Sequence, residues 1–178
     1  MNRRVWPLWC VLVALAAAAV VGAAESLRIV PIVSDSHVLV SVELADAYTD
    51  EVRQAIASGL KTTFTYDVEL RMYVPAWVDR TVASVVVTTS DQYDNLTRRH
   101  TLSRAVDGRV EEALVTEDEM VVRRWLTTLS RLTVCQTSKL DSSRDYYVRI
   151  SARARPRSGS FLGLANTISG QAKFTFIP

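Results

Sequence analysis

The sequence predicts an α+β protein that is mainly β: an antiparallel β-sandwich or strongly curled sheet with two helices. Three observations lead to this prediction. Several stretches alternate apolar and polar residues with the period of a strand, short turn-forming sequences join them, and only two stretches show helical spacing. Strands joined by short turns pair antiparallel, and one apolar face on each strand requires a second layer across the core.

The N-terminus has the pattern of a secretory signal peptide. Two arginines precede an uncharged apolar run of about 17 residues, which ends in small residues. Cleavage after Ala23 or after Ala24 fits this pattern. We therefore expect a leader over residues 1–24 and one β-rich envelope domain over residues 25–178, exported to the periplasm. An uncleaved N-terminal anchor is the alternative, because the run reaches the short end of the length that spans a bilayer.

The first elements of the predicted domain are a hairpin and a short helix. The hairpin occupies residues 26–46 and turns at residues 34–36, where Ser and Asp supply turn chemistry. Thr49 or Asp50 can cap the helix that follows, and Gly59 can end it.

The longest alternating stretch runs from Leu60 to Val74. A strand of that length is unusual, so a bend or bulge is expected within it. A turn at residues 75–77 leads to a strand over residues 81–89, in which three consecutive valines at 85–87 indicate burial on both faces.

The C-terminal half is predicted to contain strands at residues 93–106, 109–115 and 146–155, with a final strand between 171 and 178. The first two are joined by the strong hairpin turn Asp107-Gly108.

A second helix is predicted between the strands at 109–115 and 146–155. Thr116 and Glu119 form a capping-box pattern, and Val115 and Met120 are spaced as a hydrophobic staple. The apolar stripe predicts that this helix ends near Leu132.

Charge and cysteine content narrow the function classes. The chain has 21 Lys and Arg against 19 Asp and Glu, and the two arginines of the leader account for the difference. A neutral mature domain lacks the positive field on which nucleic-acid binding rests, so no nucleic-acid partner is expected. Because Cys10 lies in the leader, Cys135 has no cysteine to pair with in the mature domain. We expect it to be a small buried side chain.

Charge is also segregated along the chain. Residues 111–119 contain five acids and no base, whereas residues 144–157 contain five arginines and one acid. Three of these arginines share one face of a predicted strand and could bind an acidic protein surface or anionic lipid headgroups together. Cross-strand pairing with Asp67 and Glu69 is the alternative. The candidate partner-contact residues are Arg149, Arg153 and Arg155.

No catalytic, metal-binding or cofactor-binding constellation is found in the sequence. The two histidines, His37 and His100, lie far apart on predicted polar strand faces, whereas a zinc site needs about four converging ligands. A small hydrolase is the least favoured function. It would need one of these histidines within hydrogen-bond reach of a Ser and an acid.

Four segments resemble the signature of an exported bacterial family of unknown function, domain-of-unknown-function family 4390. They are residues 55–71, Trp77-Val78-Asp79, residues 93–98 and Tyr147-Val148-Arg149. The resemblance implies export without an assigned activity. It also implies gene neighbourhoods that include a membrane sensor kinase of the nitrogen-regulation type, and hence an envelope partner.

These observations together predict a non-enzymatic binding or interaction domain of the bacterial envelope, with a membrane sensor kinase as a possible partner. The alternative is a carrier of an apolar or lipid-like ligand. In that case the apolar face of residues 60–74, with Phe64, Tyr66 and Met72, would line the pocket.

Overall fold

The computed structural model describes residues 27–156 and 167–176, without the side chains of residues 155 and 156. A 3-10 turn at Thr137–Lys139 follows the seventh strand. The helices and strands, in chain order, are β1 (Leu27–Ser34), β2 (His37–Leu44), α1 (Asp50–Ala57), β3 (Thr62–Met72), β4 (Arg80–Asp94), β5 (Arg99–Val106), β6 (Arg109–Thr116), α2 (Glu119–Thr127), β7 (Thr128–Gln136), β8 (Tyr146–Pro156) and β9 (Thr167–Phe174).

The strands form two antiparallel sheets that share one core. The smaller sheet has the order β1-β2-β7 and the larger one β6-β5-β4-β3-β8-β9. Apolar side chains from β2, β3, β8 and both helices belong to a single buried cluster. The mainly β fold class with two helices is therefore confirmed, and its layers follow from the one apolar face that each strand presents.

Two tight turns occur where the sequence predicts them. Asp35 and Ser36 connect β1 to β2 with φ of 51° and 62°, and Asp107 and Gly108 connect β5 to β6 with φ of 47° and 81°. Positive φ at both central residues gives a turn whose twist matches that of paired strands. This geometry explains the two-residue length of both connections.

The alternation in β3 places its apolar residues on the core side. Thr62, Phe64, Tyr66, Val68 and Leu70 are buried, and the residues between them are half-buried on the outer face. The predicted irregularity is present, because the register with β4 shifts between Leu70 and Arg71. The strand is 11 residues long.

The predicted strand boundaries around residue 90 are wrong. β4 continues without interruption to Asp94, and the chain turns at residues 95–98 instead. Val86 faces outward and is 40% exposed, so the three valines at 85–87 are not buried on both faces.

The prediction that the second helix extends to Leu132 is also wrong. α2 ends at Thr127, and β7 begins at the next residue. Asp118, not Thr116, is the N-cap, since its carboxylate accepts a hydrogen bond from the Met120 N–H at 2.8 Å. Val115 and Met120 are both exposed, so the predicted staple is not buried.

The final strand begins earlier than predicted. β9 starts at Thr167 and ends at Phe174, where it pairs with Tyr146 of β8. Its Gly170 lies against β1: a Cβ atom at this position would be 3.0 Å from Cδ2 of Leu27. This close approach brings the edge strand β1 of the small sheet against β9 of the large one.

Candidate functional site

The loop between β3 and β4 is tied at its base by one residue, Asp79. Its Oδ1 accepts a hydrogen bond from the Val74 N–H at 3.1 Å, and its Oδ2 accepts one from the Tyr147 hydroxyl at 2.6 Å. Its main-chain oxygen accepts a third, from Nη2 of Arg71 at 3.0 Å. Asp79 therefore joins β3, the loop and β8.

These bonds present two apolar side chains to solvent. Trp77 is 81% exposed and Val78 is 74% exposed. The loop is a defined turn, because the Trp77 N–H donates to the Val74 carbonyl at 3.2 Å. Ala76 has a φ of 60°, in the left-handed region that such turns use. We call Trp77 and Val78 the loop tip.

A depression of about 590 Å³ lies next to this loop at the rim of the large sheet. Tyr73 and Asp79, at the two ends of the loop, line one side of it. Polar groups from β8, β9 and the segment before β8 complete it, namely Asp145, Tyr147, Gln171 and Lys173. We call this the rim depression. Its tyrosines are of a residue type that is enriched at protein interfaces, and its charged groups have the polarity of an interface rim.

The electrostatics of the rim depression follow from the Asp79 hydrogen bonds. The Tyr147 hydroxyl and the Val74 N–H lower the pKa of Asp79, since both donate to its ionised form. The same bond raises the pKa of Tyr147, which keeps its proton as the donor. The loop base is therefore fixed by a charge-assisted pair at neutral pH.

The structure places two of the candidate arginines opposite acids of β3 and pairs one of them, Arg153. Arg149 faces Glu69 across the β3–β8 ladder, and Nη2 of Arg153 donates to Oδ2 of Asp67 at 2.5 Å. The backbone of Arg155 pairs with Thr63, and its side chain lies outside the described residues. The cross-strand alternative thus holds for Arg153.

A second depression, of about 440 Å³, lies on the outer face of the large sheet. Asp67, Glu69, Arg71 and Arg149 line it, so acids and bases are present in equal number. The charges of these four side chains sum to zero, so this depression is not purely basic. An anionic lipid surface as partner stays a prediction.

His100 does not lie on a polar face of its strand, contrary to the prediction. It is buried on the core side of β5, with Nδ1 at 2.9 Å from Oδ2 of the wholly buried Asp91. Tyr93 lies against its ring, with 4.6 Å between the ring centroids. Burial is the main reason why the pKa of nearby Tyr48 rises to about 12, with the carboxylates of Glu119 and Asp91 adding to it.

The histidine–acid pair supplies only part of what a hydrolase would need. Within the described residues, His100 has the acid Asp91 as a partner, and none of its hydrogen bonds reaches a Ser hydroxyl. His37 lies at the β1–β2 turn, with its ring against the Asp35 carbonyl at 2.7 Å. Among all the residues that the structure describes, no group of three metal-ligating side chains converges.

The remaining sequence predictions concern the core and the leader. Cys135 is buried, as expected, and burial raises the pKa of its thiol. Phe64 and Tyr66, proposed to line an apolar pocket, pack within the core cluster. Ala23 and Ala24, at the predicted cleavage site, lie outside the described residues.

The sequence analysis did not predict that the loop tip is exposed, and it did not predict the buried Asp91–His100 pair. A signal for the first was present: Trp77 and Val78 follow Pro75 in a segment without strand alternation, and a turn exposes its side chains. No signal identified the second, because Asp91 and His100 come together only when β4 and β5 pair.

A family model described as a domain of unknown function (DUF4390) matches residues 23–157. The chain belongs to this family. The matched part of this DUF4390 protein includes the loop tip, Asp79 and all of β8, whereas Gln171 and Lys173 of the rim depression lie beyond it. No protein of described function and no solved structure shows significant similarity to the chain. Among residues 27–156 and 167–176, no helix is both long and apolar enough to cross a membrane.

Proposed function

We propose that this DUF4390 protein is an exported, non-enzymatic binding domain that docks a protein partner of the bacterial envelope. One observation carries the proposal: two large apolar side chains, Trp77 and Val78, are held in solvent by a loop that Asp79 ties to two strands. Burial of the exposed Trp77 and Val78 surface by a partner would release the free energy that these side chains do not gain in the isolated domain.

The tied loop suits binding for a second reason. Tryptophan is among the residues that contribute most to protein interfaces, particularly at the centre of a contact. A loop already fixed by hydrogen bonds loses less conformational entropy on association than a free one. The loop tip therefore resembles an anchor, and the rim depression beside it supplies a polar surround.

Export is part of the proposal, and the sequence supports it. The DUF4390 match begins at residue 23, so the predicted leader lies almost wholly before it. A membrane sensor kinase is the partner that the gene neighbourhoods of such proteins suggest. The proposal would place the domain on the periplasmic side, where it contacts the extracytoplasmic part of that kinase.

The test is crosslinking in intact cells with wild type and Trp77→Ala, followed by quantification of the co-purified sensor kinase. Removal of a central anchor costs about 2 kcal/mol, so recovery should fall roughly thirtyfold when binding is far from saturation. Leu96→Ala is the matched control, because Leu96 is 94% exposed in the turn after β4. The two positions flank a strand of 15 residues, which spans about 50 Å. Equal recovery with Trp77→Ala and wild type would reject the loop tip as the docking site.

A further inference from the structure

The edge strand β6 is exposed on both of its faces. Seven of its 8 residues are exposed, and only Thr116 is half-buried. In the part of the chain that the structure describes, no strand pairs with the outer side of β6. Alternate N–H and C=O groups of an antiparallel edge strand point away from its neighbour, so a row of backbone donors and acceptors faces solvent here.

The side chains of β6 protect only the first half of this edge. Proteins guard exposed edges with proline, with lysine and other charges, or with a bulge. β6 contains no proline or lysine, and its charged residues Arg109, Glu111 and Glu112, with the bulge at Glu111, all lie in its first four positions. Apolar side chains are exposed instead: Val110 is 67% exposed and Val115 is 57% exposed. The register with β5 shifts at Glu111, which leaves Glu112–Thr116 as regular strand. An extended, apolar edge of this kind is the surface to which an added strand binds.

Charge selects the kind of strand that fits. Of the five acids in residues 111–119, Glu111 and Glu112 lie on β6, Glu117 and Asp118 lie in the turn that follows, and Glu119 begins α2. Arg104 pairs with Glu112 at 3.0 Å and Arg99 with Glu117 at 3.1 Å. Both arginines lie on β5, on the side of β6 away from its free edge. Residues 109–119 contain five acids and Arg109, so with Arg99 and Arg104 two negative charges remain uncompensated.

A second copy of this chain is a poor occupant for the same reason. Two β6 strands side by side would bring four acids, Glu111 and Glu112 of each copy, against only the two copies of Arg109, so the shared ladder would keep a net negative charge. A strand from a partner with basic and aliphatic residues in alternation would meet opposite charge and apolar surface instead.

We propose that β6 binds an extended segment of a partner protein, with alternating basic and aliphatic residues, by β-strand addition. The main chain of the segment hydrogen-bonds to Glu112–Thr116. Its aliphatic residues cover Val115, and its basic residues lie near Glu111. This surface is separate from the loop tip, which lies in the connection from β3 to β4.

The test uses the full chain and a capped Lys-Val repeat peptide as long as β6, 8 residues. The peptide should slow amide hydrogen exchange in residues 109–116 and bind about tenfold more tightly than a Glu-Val repeat of equal length. Glu111→Lys should weaken binding about tenfold at low salt. Glu51→Lys, the same change on exposed α1, should leave the affinity unchanged.

Two controls separate strand addition from simpler explanations. A Lys-Val peptide with N-methyl groups on alternate amides keeps its charge and loses its backbone donors, so it should fail to bind. Equal binding of this peptide, or no protection of residues 109–116, would overturn the proposal. Protection that grows with protein concentration in the absence of peptide would overturn it in favour of a second copy. Trp77→Ala should bind the Lys-Val peptide as wild type does, so this test and that of the loop tip can fail separately.

Discussion

Nδ1 of His100 lies 2.9 Å from Oδ2 of Asp91 inside the core of the sandwich. Asp91 is 0% exposed, and its Oδ1 has no hydrogen-bond partner among the described residues. Burial is the main effect on this carboxyl and raises its pKa, while the hydrogen bond to His100 acts in the opposite direction. Ionised Asp91 is therefore only partly compensated in the folded state.

Asp91→Asn should change the pH dependence of stability in a defined direction. A carboxyl whose pKa is higher in the folded than in the unfolded protein binds its proton more tightly when folded. Its contribution to the free energy of unfolding is complete at low pH. That contribution is lost as the pH rises from the ordinary pKa of 3.8 through the raised pKa of the folded protein. The free energy of unfolding of wild type, relative to Asp91→Asn, should therefore fall over this window. Urea unfolding at a series of pH values measures it, and a constant difference would contradict the prediction.

Asp79→Asn should show the opposite dependence. The pKa of Asp79 is lowered in the folded protein by Tyr147 and the Val74 N–H, so its stabilising effect is present above 3.8 and is lost as the pH falls below that value. Stability of wild type relative to Asp79→Asn should thus rise with pH in the acid range. Tyr147→Phe removes the first donor and should reduce this rise. Identical profiles for the Asp79 and Asp91 variants would refute the assignment of the two causes.

Asp91 also explains why the sequence wrongly predicts a strand break around residue 90. An aspartate beside Ser90 and Gln92 has the composition of a turn, and the sequence predicts a break there. Pairing of β4 with β5 supplies His100 as a partner, which allows the acid to remain in a buried strand. A partner from another strand cannot be deduced from local pattern. The hairpin turns were predictable because their backbone geometry depends on the turn residues themselves.

β7 was missed for a related reason. Val122, Leu126 and Leu129 keep helical spacing beyond the end of α2, so the apolar pattern alone continues the helix. Pairing with β2 converts the segment after Thr127 into a strand. Arg149 and Arg153 lie on one face of β8, as predicted, but whether they are paired depends on β3. That strand brings Asp67 to Arg153.

The leader should be removed on export. Protein expressed with its own N-terminus should be recovered from the periplasm as a chain that begins at Ala24 or Glu25, as measured by intact mass. Leucine at both Ala23 and Ala24 should block cleavage, because the peptidase needs small residues there. Ala17→Leu, within the apolar run, is the control and should be processed normally. A full-length wild-type chain in the membrane fraction would instead support the uncleaved anchor.

Two hydroxyl groups stabilise the abrupt change from α2 to β7. The hydroxyl of Tyr66 donates to the Leu126 carbonyl, and the Thr89 hydroxyl donates to the same oxygen at 3.3 Å. This carbonyl lies at the end of the helix and is buried, so it must find donors outside the helix. The sheet residues Tyr66 and Thr89 provide them.

The double variant Tyr66→Phe, Thr89→Val should therefore lose more free energy of unfolding than the two single variants lose in sum. Each single change leaves one donor on the Leu126 carbonyl and should cost about 1 kcal/mol of unfolding free energy. The double change leaves the carbonyl without either donor, and should cost about 1 kcal/mol more than the sum. Thr88→Val, on the outer face of the same strand, is the control and should change stability by less than about 0.5 kcal/mol. Simple additivity in a double-mutant cycle would show that the two hydroxyls do not substitute for each other at this carbonyl.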